Sequence, residues 1–537
     1  MKEDPFIGIC RLIMSYSLLN SVLGPVMRGP SSSHTAGPFF IANSIRQLSL
    51  TDGEKFLATH INFDPSGSYA RVYKNQGSDQ GIAAGLLGRP MTHADYSDAI
   101  TDIKRKELFD LSFNIKSLEN VSHPNDAEFE LRIIQIDGAV RHENWRSVST
   151  GGGMFQLTSC NGADLQINGA FYTALIETST QETALRILKS LREEVLVERF
   201  GVCSIFSSGS IVELQTLEPL TLGVVRALNQ LDGVVRIRQC KPAQYVIKNA
   251  LPLFESCSDI MKAADQTPLH ILAEQYEAKQ LGLEVAEVRQ LFLKRLETMF
   301  LSVEEGLCSK SAGMKFLSPK ASQLLHSMKA SSISSPVLHC AISAALAVME
   351  SGTSRGIVVA APTAGSAGII PGIAYALLQN DFTKDDCINL LEVAALVGAI
   401  VAQHATFAAE VAGCNAETGV SAAMAAAGLA HVMGATPQQV FDAASICMMN
   451  TMGLVCDPVN GEVEIPCHAR NIGGVSHAIS SVTAVLGGFE AVLPMDELIG
   501  SMMQVASKTH SDMLCTARGG CAVTATARDL LKQKAKN

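Results

Sequence analysis

The stretch from Glu410 to Gly474 constrains the fold most. It carries three cysteines, and each sits in a loop signal rather than in an apolar run. Cys414 follows a glycine. Cys456 opens a Cys-Asp-Pro-Val-Asn-Gly turn. Cys467 follows Pro466, which lacks an N–H, so the chain there is not mid-helix. Loops can aim thiolates at one point, and three thiolates suit zinc or an iron–sulfur cluster. Read from spacing alone, with no Cys-x-x-Cys pair, three unrelated cysteines explain the pattern equally well.

The chain has 537 residues, enough for three to four domains by length alone. Its net charge of −10 and the lack of any basic run argue against nucleic acid and anionic membranes as partners. Charged residues make up only 18% and apolar ones 47%, which implies large buried surfaces, including a subunit interface; a homodimer is expected. The N-terminus, with acidic residues and Pro5, does not read as a signal peptide, and the apolar block Val393–Ala402 is too short to span a bilayer. A cytoplasmic protein is therefore expected. Its 14 cysteines then read as reduced thiols plus a metal site, not disulfides.

Two further words carry chemistry. Gly29-Pro-Ser31-Ser32-Ser33-His34-Thr35-Ala-Gly-Pro38 is a dense donor loop, suited to a carboxylate or phosphate at a helix start. His34 is its one group that ordinarily titrates near neutrality. Ala361-Pro-Thr363-Ala364-Gly365-Ser-Ala-Gly368 follows a strand-like Gly356–Val359, and its glycines let backbone N–H groups approach an anion. It could be a pyridoxal-phosphate loop, but no lysine lies in a matching context. Arg470, three residues past Cys467, is a second candidate for a substrate carboxylate, with a second role as an ion-pair partner.

The organisation reads as α+β and multidomain. An α/β region spans about 1–165, with alternating residues 128–158 turning at Asp137-Gly138. Residues 168–247 read strand, helix, strand, strand, helix, strand, a βαββαβ pattern. Residues 265–537 read as helical, dense in alanine and glycine, with capping signals at Thr383 and Thr436 and Pro268 at a helix start. His339, His404 and His431 read as core or interface histidines.

Gly-Cys414-Asn-Ala-Glu-Thr-Gly, Gly-Leu-Val-Cys456-Asp-Pro-Val-Asn-Gly and Ile-Pro-Cys467-His-Ala-Arg-Asn resemble the cluster segments of the iron–sulfur-dependent L-serine dehydratases, single-chain form, and the intervals fit as well. The resemblance implies that Cys414, Cys456 and Cys467 hold a [4Fe–4S] cluster with one iron open, in an enzyme of amino-acid catabolism. It implies that Ser31, Ser32, Ser33 and Thr35 contact an amino-acid substrate, and that Thr363, Ala364 and Gly365 hold its carboxylate. It makes 1–165 a β-like domain and 265–537 an all-helical α-like iron–sulfur domain. The 168–247 module resembles an ACT-type regulatory module.

Where the family carries Gly-His-Gly-Thr-Asp, this chain has Asn75-Gln76-Gly77-Ser78-Asp79. Gln76 hydrogen-bonds but cannot act as a base, so His34 is expected to be the catalytic base, with Gln76 beside the substrate. Some relatives close the open iron with a C-terminal cysteine. This chain ends in Lys536-Asn537, and Cys515 and Cys521 stand too far from that end to be equated with it. L-cysteine desulfidation, and a zinc-stabilised amino-acid sensor, remain open alternatives.

Overall fold

The computed structural model describes residues 16–194, 199–206, 209–249, 251–308, 313–327 and 335–534. The apolar start of the chain, the first residues of an expected strand at 195–198 and the C-terminal Lys536-Asn537 lie outside the described residues.

After a short strand β1 (Val26–Arg28), six strands form the first sheet: β2 (Lys55–Phe63), β3 (Asp110–Ile115), β4 (Asp126–Ile134), β5 (Val140–Gly151), β6 (Met154–Cys160) and β7 (Ala163–Ile167). Their order is β3-β2-β4-β5-β6-β7, with only β2 and β3 parallel. The period of two explains which face is buried. Ala127, Phe129, Leu131 and Ile133 of β4 point into the core, while Glu128, Glu130 and Arg132 point out. The helices Gly37–Ser49 and Ser78–Leu87 contribute to the same apolar core. The β4–β5 hairpin turns at Asp137-Gly138, where Gly138 has φ +86°.

The next stretch runs β8 (Tyr172–Thr178), helix Gln181–Glu194, β9 (Arg199–Phe206), β10 (Gly209–Thr216), helix Leu222–Asn229 and β11 (Val234–Cys240). The sheet order is β11-β8-β10-β9, antiparallel throughout. A small core of its own, including Ile176, Ile187 and Leu214, holds the module together. Buried Arg238 ties it to the first sheet by pairing with Glu177 of β8 and, at 2.8 Å, with Glu143 of β5.

Helices dominate the rest. Lys384–His404 is buried along most of its length. It is long and apolar enough to cross a membrane, but 83% of that window lies inside the protein, as in a core helix. Against it lies the alanine-rich Thr418–Val432. A Cβ on Gly428 would stand 2.3 Å from the Leu390 carbonyl oxygen, so glycine there lets the two backbones touch. Capping boxes start helices at Thr383 and Thr436. Pro268 is the cap residue itself, one position before the expected one.

The C-terminal region departs from all-helical at the stretch already read as strand-like, and two features join it to the N-terminal region. Ile357–Val359 forms a strand, β12, that pairs antiparallel with β1. Leu18, Leu19, Val22 and Leu23 belong to the large helical core, and the Glu277 carboxylate accepts the Leu18 and Leu19 N–H groups at 2.7 and 3.1 Å. The two ends of the chain are thus interlocked rather than docked as finished domains.

His339 is buried and His431 half-buried, bonding Leu324 O and the His270 ring, while His404, expected in a core or interface, is exposed and contacts Glu255 O. Burial, and then the neighbouring His270, push His431 down to about 4. Between its ordinary value of 6.5 and 4, the unfolded chain binds a proton that the native state refuses. Stability should therefore fall as pH drops through that window and stay flat above it. Urea unfolding of the parent and His431→Gln at pH 7, 6 and 5 checks this: the variant should lose less stability on acidification.

Candidate metal centre and active site

The β1–β12 pair is what brings the two substrate words together. It runs directly into the Ser31–His34 loop on one side and the Ala360–Ser366 turn on the other, and the Ser32 hydroxyl oxygen accepts the Ala364 N–H at 3.3 Å. Ser31 caps the turn Ser32–Ala36 by accepting the His34 N–H. The Thr35 hydroxyl donates to Gln76 O at 2.5 Å. Ser32 and Thr35 therefore hold loops in place, while Ser31 and Ser33 border the cavity that the loops enclose.

Across that cavity lie the cysteines. Cys414 sits in the turn Gly413–Asn415, and Cys467 is the first residue of the helix Cys467–Leu486. Cys456, Cys467, Gly365, Gln76, Glu410 and Glu417 line the same space. Arg470 donates to Cys414 Sγ at 2.8 Å, to Val455 O at 2.6 Å and to Asp457 at 2.6 Å. Its guanidinium is thus bracketed by the Cys414 sulfur and the buried Asp457 carboxylate, the ion-pair role that was the alternative for it. A hydrogen bond from Cys456, and then Arg470, pull the Cys414 thiol down to about 7 despite burial. Contact with Cys414 and Cys515, together with burial, pushes the Cys456 thiol up; burial and neighbouring negative groups do the same for Cys467.

The donor set tests whether a metal fits. Cys414, Cys456 and Glu417 offer atoms within 4.8 Å of one another, and Cys467 shares the cavity. These are soft, buried, mostly sulfur donors beside a fixed cation. They fit a thiophilic centre such as an iron–sulfur cluster or zinc, and do not suit calcium or magnesium, which take oxygen ligands.

His34 is fully buried. Its Nδ1 lies 3.0 Å from Glu410 Oε1, which also accepts the Ser33 hydroxyl at 2.8 Å; its Nε2 lies 3.0 Å from Ser68 Oγ. Burial works to raise the Glu410 carboxyl, but the adjacent His34 and its hydrogen bond outweigh that and hold it at about 2. Glu410 Oε2 is buried with no hydrogen-bond partner among the described residues. His34 stands one layer behind the cavity wall, which Ser31, Ser33 and Glu410 form. Burial, then the charges of Cys414 and Glu410, raise Glu417 well above the ordinary carboxyl value. Gln76 borders the cavity and donates to Gly461 O at 2.9 Å and Cys515 Sγ at 3.6 Å. Thr363 is buried and bonds Ser366 at 3.2 Å. The Ser149–Gly153 glycine loop closes one side: Ser149 donates to Ser33 O at 2.8 Å, and a Cβ on Gly151 would stand 2.5 Å from Ala408 N.

Sequence reading missed Glu410, Glu417 and Ser68, and set Cys515 aside. Glu410 and Glu417 stand four residues before and three after Cys414, so acids near a loop cysteine were the available signal.

The serine dehydratase alpha chain model matches residues 223–522 and the serine dehydratase beta chain model residues 23–156. The alpha-chain match begins inside the βαββαβ module. The chain is 38% identical over 203 residues to the probable L-serine dehydratase alpha chain of Bacillus subtilis, covering 38% of this chain and 68% of that one. It is 38% identical over 198 residues to the L-serine dehydratase alpha chain of Peptoniphilus asaccharolyticus (36% and 68%). L-serine dehydratase TdcG of Escherichia coli aligns along 92% of this chain and 96% of its own length, at 25% identity. With an alpha-chain match over more than half its length and a beta-chain match ahead of it, the chain belongs to the serine dehydratases, a family of lyases, in the form that joins both regions in one polypeptide.

Proposed function

We propose that the protein eliminates water from L-serine, giving aminoacrylate and then pyruvate and ammonia, with a [4Fe–4S] cluster held by Cys414, Cys456 and Cys467. The observation that carries this reading is that Cys456 and Cys467 share one cavity with Ser31 and Ser33, with Cys414 beside Cys456. A cluster with an open iron supplies a Lewis acid for the β-hydroxyl, which is otherwise a poor leaving group.

The chain's own residues do the rest. Gly365, with no side chain in the way, gives the substrate carboxylate access to the 363–366 turn, and Ser31 and Ser33 offer hydroxyls. The unpartnered Glu410 Oε2 is the acceptor that faces the substrate. His34 and Glu410 act as one acid–base unit: a proton taken at the cavity wall passes across the 3.0 Å contact to the imidazole. The Ser68 hydroxyl also donates to Cys515 O at 2.9 Å. With its one proton on that carbonyl, it accepts from Nε2–H, which leaves Nδ1 as the ring atom that exchanges a proton with Glu410. Gln76 positions and does not titrate.

Anaerobically reconstituted protein assayed with L-serine, L-threonine and L-cysteine tests the reaction. L-Serine should show the highest kcat/KM. Sulfide release from L-cysteine as the dominant reaction would replace this reading with a desulfidase.

The βαββαβ module is proposed as an ACT-like effector unit, coupled to the first sheet through Arg238. The rate against L-serine concentration should then depart from a hyperbola, and Arg238→Ala should restore one. A hyperbola in both proteins would leave the module a spacer.

A further inference from the structure

Cys515 lies outside the expected ligand set, yet its thiol enters the same cavity as Cys456 and Cys467. The backbones of the two loops are locked together. The Cys456 N–H donates to Met513 O and the Cys515 N–H to Cys456 O, both at 2.8 Å. The side chains of Cys414, Cys456 and Cys515 pack in one small buried cluster.

Cys515 also holds a left-handed backbone conformation, φ +57°, which a residue with a Cβ adopts only when its surroundings impose it. The bridge to Cys456 and the Ser68 hydroxyl on Cys515 O impose it here, and the cavity-lining thiol is the result. At Sγ the Gln76 amide donates a hydrogen bond at 3.6 Å. Cys521, six residues on, is exposed; its N–H binds Asp457 at 2.7 Å.

We propose that Cys515 is a fourth thiolate ligand of this centre, so that the chain itself fills the coordination position that three cysteines leave open. The inference rests on the cluster reading above. Its consequence is that substrate competes with a protein thiol, rather than with water, for one iron.

The test uses full-length protein reconstituted anaerobically with iron and sulfide. The parent, Cys515→Gly and Cys521→Ser are treated with ferricyanide. Removing one electron from a [4Fe–4S]²⁺ cluster gives the 3+ state. Where one iron lacks a protein ligand, that state ejects Fe²⁺ and leaves [3Fe–4S]⁺. Glycine suits the left-handed position, so Cys515→Gly should fold. Ferrous iron trapped by a chelator and the spin-resonance signal of the three-iron product are the readouts. The parent and Cys521→Ser should resist, and Cys515→Gly should lose one iron per cluster at least about tenfold faster. Equal release from the parent and Cys515→Gly would overturn the assignment. Mössbauer spectra of the untreated parent decide it without a variant: four alike cysteinyl irons support it, and one distinct iron refutes it. If none of the proteins binds iron, the cluster reading itself fails and takes this assignment with it.

Discussion

Replacing His34 with alanine should lower kcat by about two to four decades, the span expected for losing a general acid–base group. Glu410→Gln should fall in the same range, because Nδ1 then faces an amide instead of the carboxylate 3.0 Å away. The two losses should not add. If the pair works as one unit, the double variant is little worse than either single one, and a double-mutant cycle reads this directly. His34→Ala also strands a buried carboxylate, which can cost about 3–5 kcal/mol of stability. His34→Asn, which keeps a donor, should therefore melt closer to the parent yet remain as inactive. Gln76→Ala should mainly raise KM. Steady-state kinetics with iron content measured in each variant checks the set. A nearly active His34→Ala beside a dead Gln76→Ala would remove His34 from the mechanism.

The second large effect concerns the thiols. Cys414→Ser, Cys456→Ser and Cys467→Ser should each lose most of the bound iron, and activity should drop at least about a hundredfold. Cys447→Ser is the control. Cys447 is fully buried on the helix Pro437–Thr451, and burial pushes its thiol up to about 12, the mark of an inert packing cysteine. Arg470→Ala should sit between these extremes. It removes the cation 2.8 Å from Cys414 Sγ without removing a sulfur. Iron per chain by colorimetric assay, with pyruvate formation alongside, orders the series. Iron retained in Cys456→Ser and lost in Cys447→Ser would show the ligand set to be wrong.

Much of the site was legible because its words are local. The three cysteine loops, the Ser31–His34 loop and the 361–368 turn each announce themselves within a dozen residues. The helical half was legible from its capping boxes and its alanine and glycine density. What was hidden depends on distant partners. Glu410 on a short helical turn reads as a solvated acid until Ser33, 377 positions away, covers it. The sequence left Arg470 between a substrate carboxylate and an ion pair, and only the fold shows Cys414 and Asp457 bracketing it. Cys515 owes its place to a two-hydrogen-bond bridge with Cys456, which no spacing rule encodes. The strand-like Gly356–Val359 announced β12, but β1 is too short to carry a period of two, and only its pairing with β12 makes it a strand.

The most direct test of the central claim titrates iron against activity. Metal-free protein is reconstituted anaerobically with increasing iron and sulfide, and pyruvate formation from L-serine is followed at each step. Activity should rise in proportion to the brown [4Fe–4S] absorbance and vanish when a chelator strips the iron. The same protein loaded with zinc should be colourless and inactive. Pyruvate formed at full rate by iron-free or zinc-loaded protein would contradict the account.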